Sequence, residues 1–262
     1  MHSLIIKHAE EAGADASEPD EFFNELRTCA FAAAHADDGM TELLQPKKLM
    51  YIAVRLWTSA LQFRGREFCS ILNKALRDDN SLCVEPAATI VHALNTFCVL
   101  RRASGPPVRW PPSHVTYRGT AMPQCHRDFF TVGKKYRAPM FVATSFSDQL
   151  PVNVFLSRLP PSTADQTPPF QEPTLWRFHL DGSLPEVQRC MHANFIDRTD
   201  TTIVGSEDEF LYSPYSAYTV RAVRWHPSPA VNMFVSNMHE IDIDVAPDNK
   251  REPIDLPLAP WC

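Results

Sequence analysis

The hydrophobic pattern changes period once along this chain, at Ser104-Gly105-Pro106-Pro107. Before that break, apolar residues recur at helical spacing. Phe68, Ile71, Leu72, Ala75 and Leu76 follow the i, i+3, i+4, i+7, i+8 pattern of one helix face. Phe22, Leu26, Cys29 and Ala30 form a second face, and Ile90, Leu94, Phe97 and Cys98 a third. Asp78-Asp79-Asn80 and Pro86 are expected to separate the last two helices. After the break the runs are short and rich in β-branched and aromatic residues: 115–117, 140–145, 176–180, 210–212, 218–225 and 241–245. Ile241, Ile243 and Val245 alternate with Asp242 and Asp244, which predicts a half-exposed antiparallel strand. Most of the 23 prolines lie in this half, so its loops should be long, with 159–173 the longest.

With 262 residues, 44% of them apolar and 21% charged, the chain can bury a substantial core and is no disordered tract. Its net charge of −6 gives no support to a nucleic-acid or anionic-membrane binder. No apolar run approaches the roughly 20 residues of a membrane helix, and Leu4-Ile5-Ile6 is too short for a signal peptide. The seven cysteines are scattered and contain no CxxC pair, which argues against a zinc or redox motif and for a reducing compartment. A cytoplasmic protein, or a soluble effector delivered into a cell, is expected. The ten histidines show no paired ligand spacing, so no metal is expected. No GxGxxG occurs and there are only 8 glycines, which argues against a glycine-cradled dinucleotide fold. Nothing suggests a symmetric interface, so the expected state is a monomer.

Three short motifs remain. In Glu207-Asp208-Glu209 an extended backbone would set Glu207 and Glu209 on one face, roughly 7 Å apart, with Asp208 turned away. Paired carboxylates repel unless a cation lies near them, so such a pair suits a guanidinium, a metal or a developing carbocation, or else is simply an acidic turn. In Val115-Thr116-Tyr117-Arg118-Gly119 an arginine at a strand end can grip a phosphate, and the glycine would let a ligand approach the backbone. In Phe141-Val142-Ala143-Thr144-Ser145-Phe146-Ser147 small hydroxyls lead from a strand into a loop, where they can bond a carboxylate or a ligand.

In this order the three motifs resemble the Arg–Ser–Glu triad of the mono-ADP-ribosyltransferases of the cholera-toxin-like class, which includes vertebrate arginine-specific enzymes and bacterial binary toxins. Tyr117-Arg118-Gly119 matches the arginine motif. Phe141 to Ser145 sits at the aromatic-led Ser-Thr-Ser strand. Glu207 to Tyr215 is similar to the Glu-x-Glu segment with its following apolar strand and proline. Arg55-Leu56-Trp57-Thr58 and Leu72 to Arg77 resemble the helical lead-in, so the likeness spans about Tyr51 to Val220. It departs at Ala143, where the family has the first serine. Thr144, Ser145 or Ser147 would then substitute, and an alignment shifted onto Thr144-Ser145-Phe146-Ser147 is an alternative.

The resemblance implies an α+β fold in which an N-terminal helical lobe, residues 1–103, packs on a mixed β core of two short sheets, residues 104–262, with an NAD cleft between the sheets. It implies transfer of ADP-ribose from NAD to an arginine of an unidentified acceptor protein, with release of nicotinamide. Glu209 would stabilise the oxocarbenium-like transition state and Glu207 would meet the guanidinium. Arg118 would bind NAD pyrophosphate or ribose, Gly119 the nicotinamide amide, and Thr144 and Ser145 would complete the cofactor site. Phe155 would stack on nicotinamide, and Arg158 would give a second phosphate contact. The segment 198–206 would present the acceptor. The same residues would serve an NAD glycohydrolase, and Ala143 leaves room for a catalytically silent relative that binds NAD or a protein.

Overall fold

The computed structural model describes residues 1–31, 46–79, 81–99, 109–156, 171–183, 192–196, 207–231, 236–249 and 251–262. Its contacts divide the chain into two units. The first holds helices α1 (His2–Glu11), α2 (Glu18–Phe31), α3 (Pro46–Trp57), α4 (Phe68–Asp78) and α5 (Ser81–Val99), with a hairpin of β1 (Gln62–Phe63) and β2 (Arg66–Glu67). The helical faces read from the sequence are the buried ones. Phe68, Ile71, Leu72, Ala75 and Leu76 line α4, and Phe22, Leu26 and Ala30 line α2, with Cys29 only half-buried. Helix α4 stops at Asp79, which takes a left-handed φ of 44°.

Pro86 does not separate the helices as expected, because it lies inside α5. A proline in a helix interior costs about 3 kcal/mol. Helix α5 buries Ala87, Ile90, Leu94 and Phe97 almost completely. Each large apolar side chain so buried returns about 1.5–3 kcal/mol, so packing outweighs the broken rung. The boundary expected near residue 103 lies outside the described residues.

The second unit is built on β3 (Val115–Pro123), β4 (Lys135–Arg137), β5 (Val142–Ser145), β6 (Gln171–Leu180), β7 (Ala193–Phe195), β8 (Glu209–Tyr212) and β9 (Ala217–Arg224). A small hairpin, β10 (Ala230–Val231) with β11 (Ser236–Asn237), precedes β12 (His239–Ala246). Strand β6 begins at Gln171, so the end of the expected 159–173 loop is strand instead. Eight strands join in the order β4-β9-β12-β6-β3-β5-β8-β7. The ladder narrows sharply between β3 and β5, which pair only at Tyr117 and Ser145. In a flat sheet β8 would lie five strand spacings, roughly 24 Å, from β9. Yet the rings of Tyr212 on β8 and Tyr218 on β9 are 6.5 Å apart, and Tyr212 lies 5.7 Å from Phe178 on β6. The ladder therefore folds over at its narrow point into a five-stranded and a three-stranded leaf around one aromatic core.

Strand β12 is antiparallel to β9 but parallel to β6, so it is central in its leaf rather than simply antiparallel. Its alternation still marks the two faces: Ile241, Ile243 and Val245 are buried in the core. On the opposite face Glu240 takes Arg177 at 2.6 Å and Arg224 at 2.5 Å, and Asp242 takes His179 at 3.0 Å. The Arg177 hydrogen bond, more than Arg224, holds the Glu240 carboxyl below the usual carboxylate range. These acids are thus satisfied by neighbouring strands. The C-terminal tail docks by paired backbone bonds to Arg137, and Trp261 stacks on Phe130 at 5.9 Å. Among the described residues no helix is long and apolar enough to cross a membrane.

Candidate active site

The site forms where the two leaves part. Strands β5 and β8 pair so that Ser145 faces Glu209, Thr144 faces Phe210 and Ala143 faces Leu211. Residues directly opposite share a face, so Ser145 and Glu209 stand together. Thr144 points to the other face, where its hydroxyl is buried and donates to the Phe210 carbonyl at 2.8 Å. It is turned away from Glu209, and its hydroxyl bonds within the core. Ser145, two residues beyond Ala143, is the hydroxyl residue that pairs with Glu209. Its Oγ donates to the Glu207 carbonyl at 2.6 Å and accepts from the Ser147 N–H at 3.1 Å.

The expected side-by-side geometry of Glu207 and Glu209 does not hold. Strand β8 begins only at Glu209, and Asp208 has a left-handed φ of 48°. Alternation needs extended backbone at all three residues, and one left-handed residue breaks it. The turn is held from outside. The Phe146 N–H donates to the Asp208 carbonyl at 3.1 Å. The Asp208 carboxylate pairs with Arg109 at 2.9 Å. The Arg109 guanidinium lies over the rings of Phe195 and Phe146, at 4.5 and 5.3 Å. Arg109 is the residue the sequence reading missed. It follows a proline-rich break far upstream of the glutamates, and nothing in local pattern links the two.

Arg118 sits on the side of β3 that carries Thr116 and Met122, and its Nη1 donates to the Ala143 carbonyl at 2.6 Å. The arginine thus bridges β3 to β5 next to their single shared pair. Gly119 is required by the protein itself. A Cβ there would lie 2.7 Å from the Pro151 carbonyl oxygen and 2.9 Å from Leu156 Cγ. The wide helical turn Pro151–Phe155 rests in that space, entered through Ser147, whose Oγ accepts from the Leu150 N–H at 3.3 Å. Phe155 ends the turn 43% exposed. Arg158 and the segment 198–206 lie outside the described residues. So Gly119 lies beside Arg118 on β3, next to the strands that pair Ser145 with Glu209, with Phe155 on the turn seated against Gly119. By register Ser145 and Glu209 share the face of Tyr117, while Arg118 lies on the side of Thr144 and reaches the Ala143 carbonyl.

No group of three or more His, Cys, Asp or Glu side chains suited to a metal ion occurs among the described residues. A separate cleft of about 440 Å³, bordered by His114, His179, Asp181, Arg221 and Asp244, includes none of these site residues.

No protein-family model matches the chain, and no curated protein sequence matches it. Solved structures do. The ADP-ribosyltransferase Vis in complex with the M6 inhibitor aligns over 89% of this chain and 88% of its own, with a TM-score of 0.54 at 12% identity. Vis in complex with agmatine aligns over 82% of this chain and 90% of its own, with a TM-score of 0.51 at 13% identity. HopU1 of Pseudomonas syringae, also an ADP-ribosyltransferase, aligns over 84% and 87%, with a TM-score of 0.50 at 13% identity. The chain has the ADP-ribosyltransferase fold.

Proposed function

We propose that the protein is an NAD-dependent mono-ADP-ribosyltransferase that modifies arginine, with NAD as substrate and a protein as acceptor. The observation that carries this reading is the pairing of Ser145 with Glu209 where the leaves part, next to the strand that carries Arg118, within this fold. Breaking the bond between nicotinamide and ribose builds positive charge on the ribose, as in glycoside cleavage. A carboxylate at Glu209 stabilises that charge in the transition state more than in the ground state. Nicotinamide leaves, the ribose carbon bonds to the acceptor guanidine nitrogen, and the nitrogen gives up its proton with Glu207 as the receiving base.

A carboxylate and a guanidinium match bidentately, which supports arginine as acceptor. Vis, solved with agmatine, shows that this fold can take a guanidine compound in another protein. Arg118 binds the NAD pyrophosphate while bonded to Ala143, and Phe155 stacks on nicotinamide.

The test follows nicotinamide release from NAD with and without agmatine. Wild type should release nicotinamide and label agmatine. Glu209→Ala should lose both by about 100-fold or more. Glu207→Ala should lose transfer and keep release. Release without transfer, indifferent to Glu207, would make the protein a glycohydrolase. No release would refute the reading.

A further inference from the structure

We infer that Arg109 is a positioning residue for the glutamate pair, one that fixes the angle between Glu207 and Glu209 and so sets how a cationic acceptor is met. This rests on the transferase reading above. Glu209 is placed by its register with Ser145. Glu207 lies outside the strand, so its direction relative to Glu209 depends on the dihedrals of Asp208. Those are left-handed, at a φ of 48°, in a region that side chains other than glycine avoid. Two backbone contacts hold the carbonyls of the turn: Ser145 Oγ on Glu207 and the Phe146 N–H on Asp208. Arg109 holds the side chain, at 2.9 Å from the Asp208 carboxylate.

Arg109 is itself seated. Its guanidinium lies over Phe195 and Phe146, whose rings stack on each other at 5.1 Å. The next residue, Trp110, meets the edge of Phe210 at 6.1 Å and donates to His114 Nδ1 at 2.7 Å. The pair also has an electrostatic consequence. Asp208 is a third carboxylate between two glutamates and would compete for a guanidinium acceptor. Arg109 occupies it, so that Asp208 does not compete for the acceptor.

The experiment compares wild type, Arg109→Ala, Arg109→Lys, Asp208→Gly and the double variant Arg109→Ala/Asp208→Gly, reading the KM for agmatine and kcat separately. Glycine takes a left-handed φ freely and carries no competing carboxylate. The Arg109–Asp208 pair is partly exposed, at 57% and 41%, so its loss should raise the KM for agmatine by roughly fivefold, the upper end for such pairs. Lysine keeps the charge without the flat face and should fall between. In the Asp208→Gly background, Arg109→Ala should add nothing. An equal rise in both backgrounds, or no rise in the first, overturns the inference. A wild-type protein that transfers nothing fails the functional reading itself, and that control separates the two failures.

Discussion

Replacing Gly119 by alanine puts a methyl carbon 2.7 Å from the Pro151 carbonyl oxygen and 2.9 Å from Leu156 Cγ, against about 3.4 Å for ordinary contact. The leucine can rotate, but the carbonyl belongs to the backbone of the Pro151–Phe155 turn. That turn must retreat by about 0.7 Å to reach ordinary contact. Two effects oppose each other. A glycine-to-alanine change stiffens the unfolded chain and is worth about 0.4–1 kcal/mol. Overpacking costs about 1–3 kcal/mol. The clash is with backbone, so overpacking wins, and Gly119→Ala should destabilise by about 1–2 kcal/mol in urea unfolding. The turn carries Phe155, so its retreat moves the expected nicotinamide platform. A misplacement of about 1 Å can cost 100-fold, and roughly tenfold is expected here in kcat/KM for NAD. In a Phe155→Ala background the same change should add little to that loss. Unaltered stability and unaltered kcat/KM would refute the packing argument, and an undiminished loss in the Phe155→Ala background would refute its route through Phe155.

The two hydroxyls of β5 should separate cleanly. Thr144→Val removes a second, side-chain donor from the buried Phe210 carbonyl and should cost about 0.5–1.5 kcal/mol of stability with little change in nicotinamide release, whereas Ser145→Ala should lower transfer with a smaller change in stability. Ala143→Ser should raise nicotinamide release by no more than about twofold, because Ser145 already faces Glu209; a tenfold rise, by the measure of one order in rate, would restore the silent-relative reading. Stability should also fall on mild acidification. His239 is fully buried, accepting from the His226 N–H at Nδ1 and meeting Glu172 at 3.0 Å through Nε2. Burial pushes its pKa below the ordinary value of 6.5. Below pH 6.5 the unfolded chain takes up a proton that the folded one refuses, so stability drops until the lowered folded pKa is passed. The slope from this group is at most about 1.4 kcal/mol per pH unit. Urea midpoints at pH 7.5 and 5.5 should show the drop, and His239→Gln should shrink it.

Elements fixed by local periodicity were legible in the sequence. The face of α4 could be read residue by residue because the 3.6-residue period and burial coincide. The alternation of β12 marked its core side for the same reason. What local pattern does not carry is pairing. That β12 runs parallel to β6 depends on chain path, and alternation is blind to strand direction. The motifs behaved similarly. Arg118, Ser145 and Glu209 stood out only together, because their motifs in this order resemble the triad of a known family. The left-handed Asp208 and its Arg109 partner did not, since aspartate tolerates many conformations and the ion pair joins distant segments. Gly119 was visible, but not its packing role: an added Cβ would meet Pro151 and Leu156, a contact between segments that local pattern does not show.

The site's position follows from a backbone problem. Where β3 and β5 keep only one shared pair, the peptide groups around it lose their ladder partners, and buried carbonyls must find donors elsewhere. Arg118 serves the Ala143 carbonyl there; at the neighbouring β5–β8 end Ser145 serves the Glu207 carbonyl, and the Phe146 N–H serves the Asp208 carbonyl. Two of the three signature residues are therefore also structural. This separates two views of Arg118 in protein without NAD. An arginine kept only for phosphate contributes little before the substrate arrives, and its removal would be neutral. An arginine that bridges the leaves should cost about 1–3 kcal/mol when replaced by alanine, the range for stranding a buried acceptor. Urea unfolding of Arg118→Ala without NAD decides between them, with Arg118→Lys as the companion. Lysine can reach a carbonyl as a point donor and should recover part of the stability, while its single ammonium cannot grip a pyrophosphate bidentately and should leave the KM for NAD high. A neutral Arg118→Ala would mean that the Ala143 contact holds nothing together.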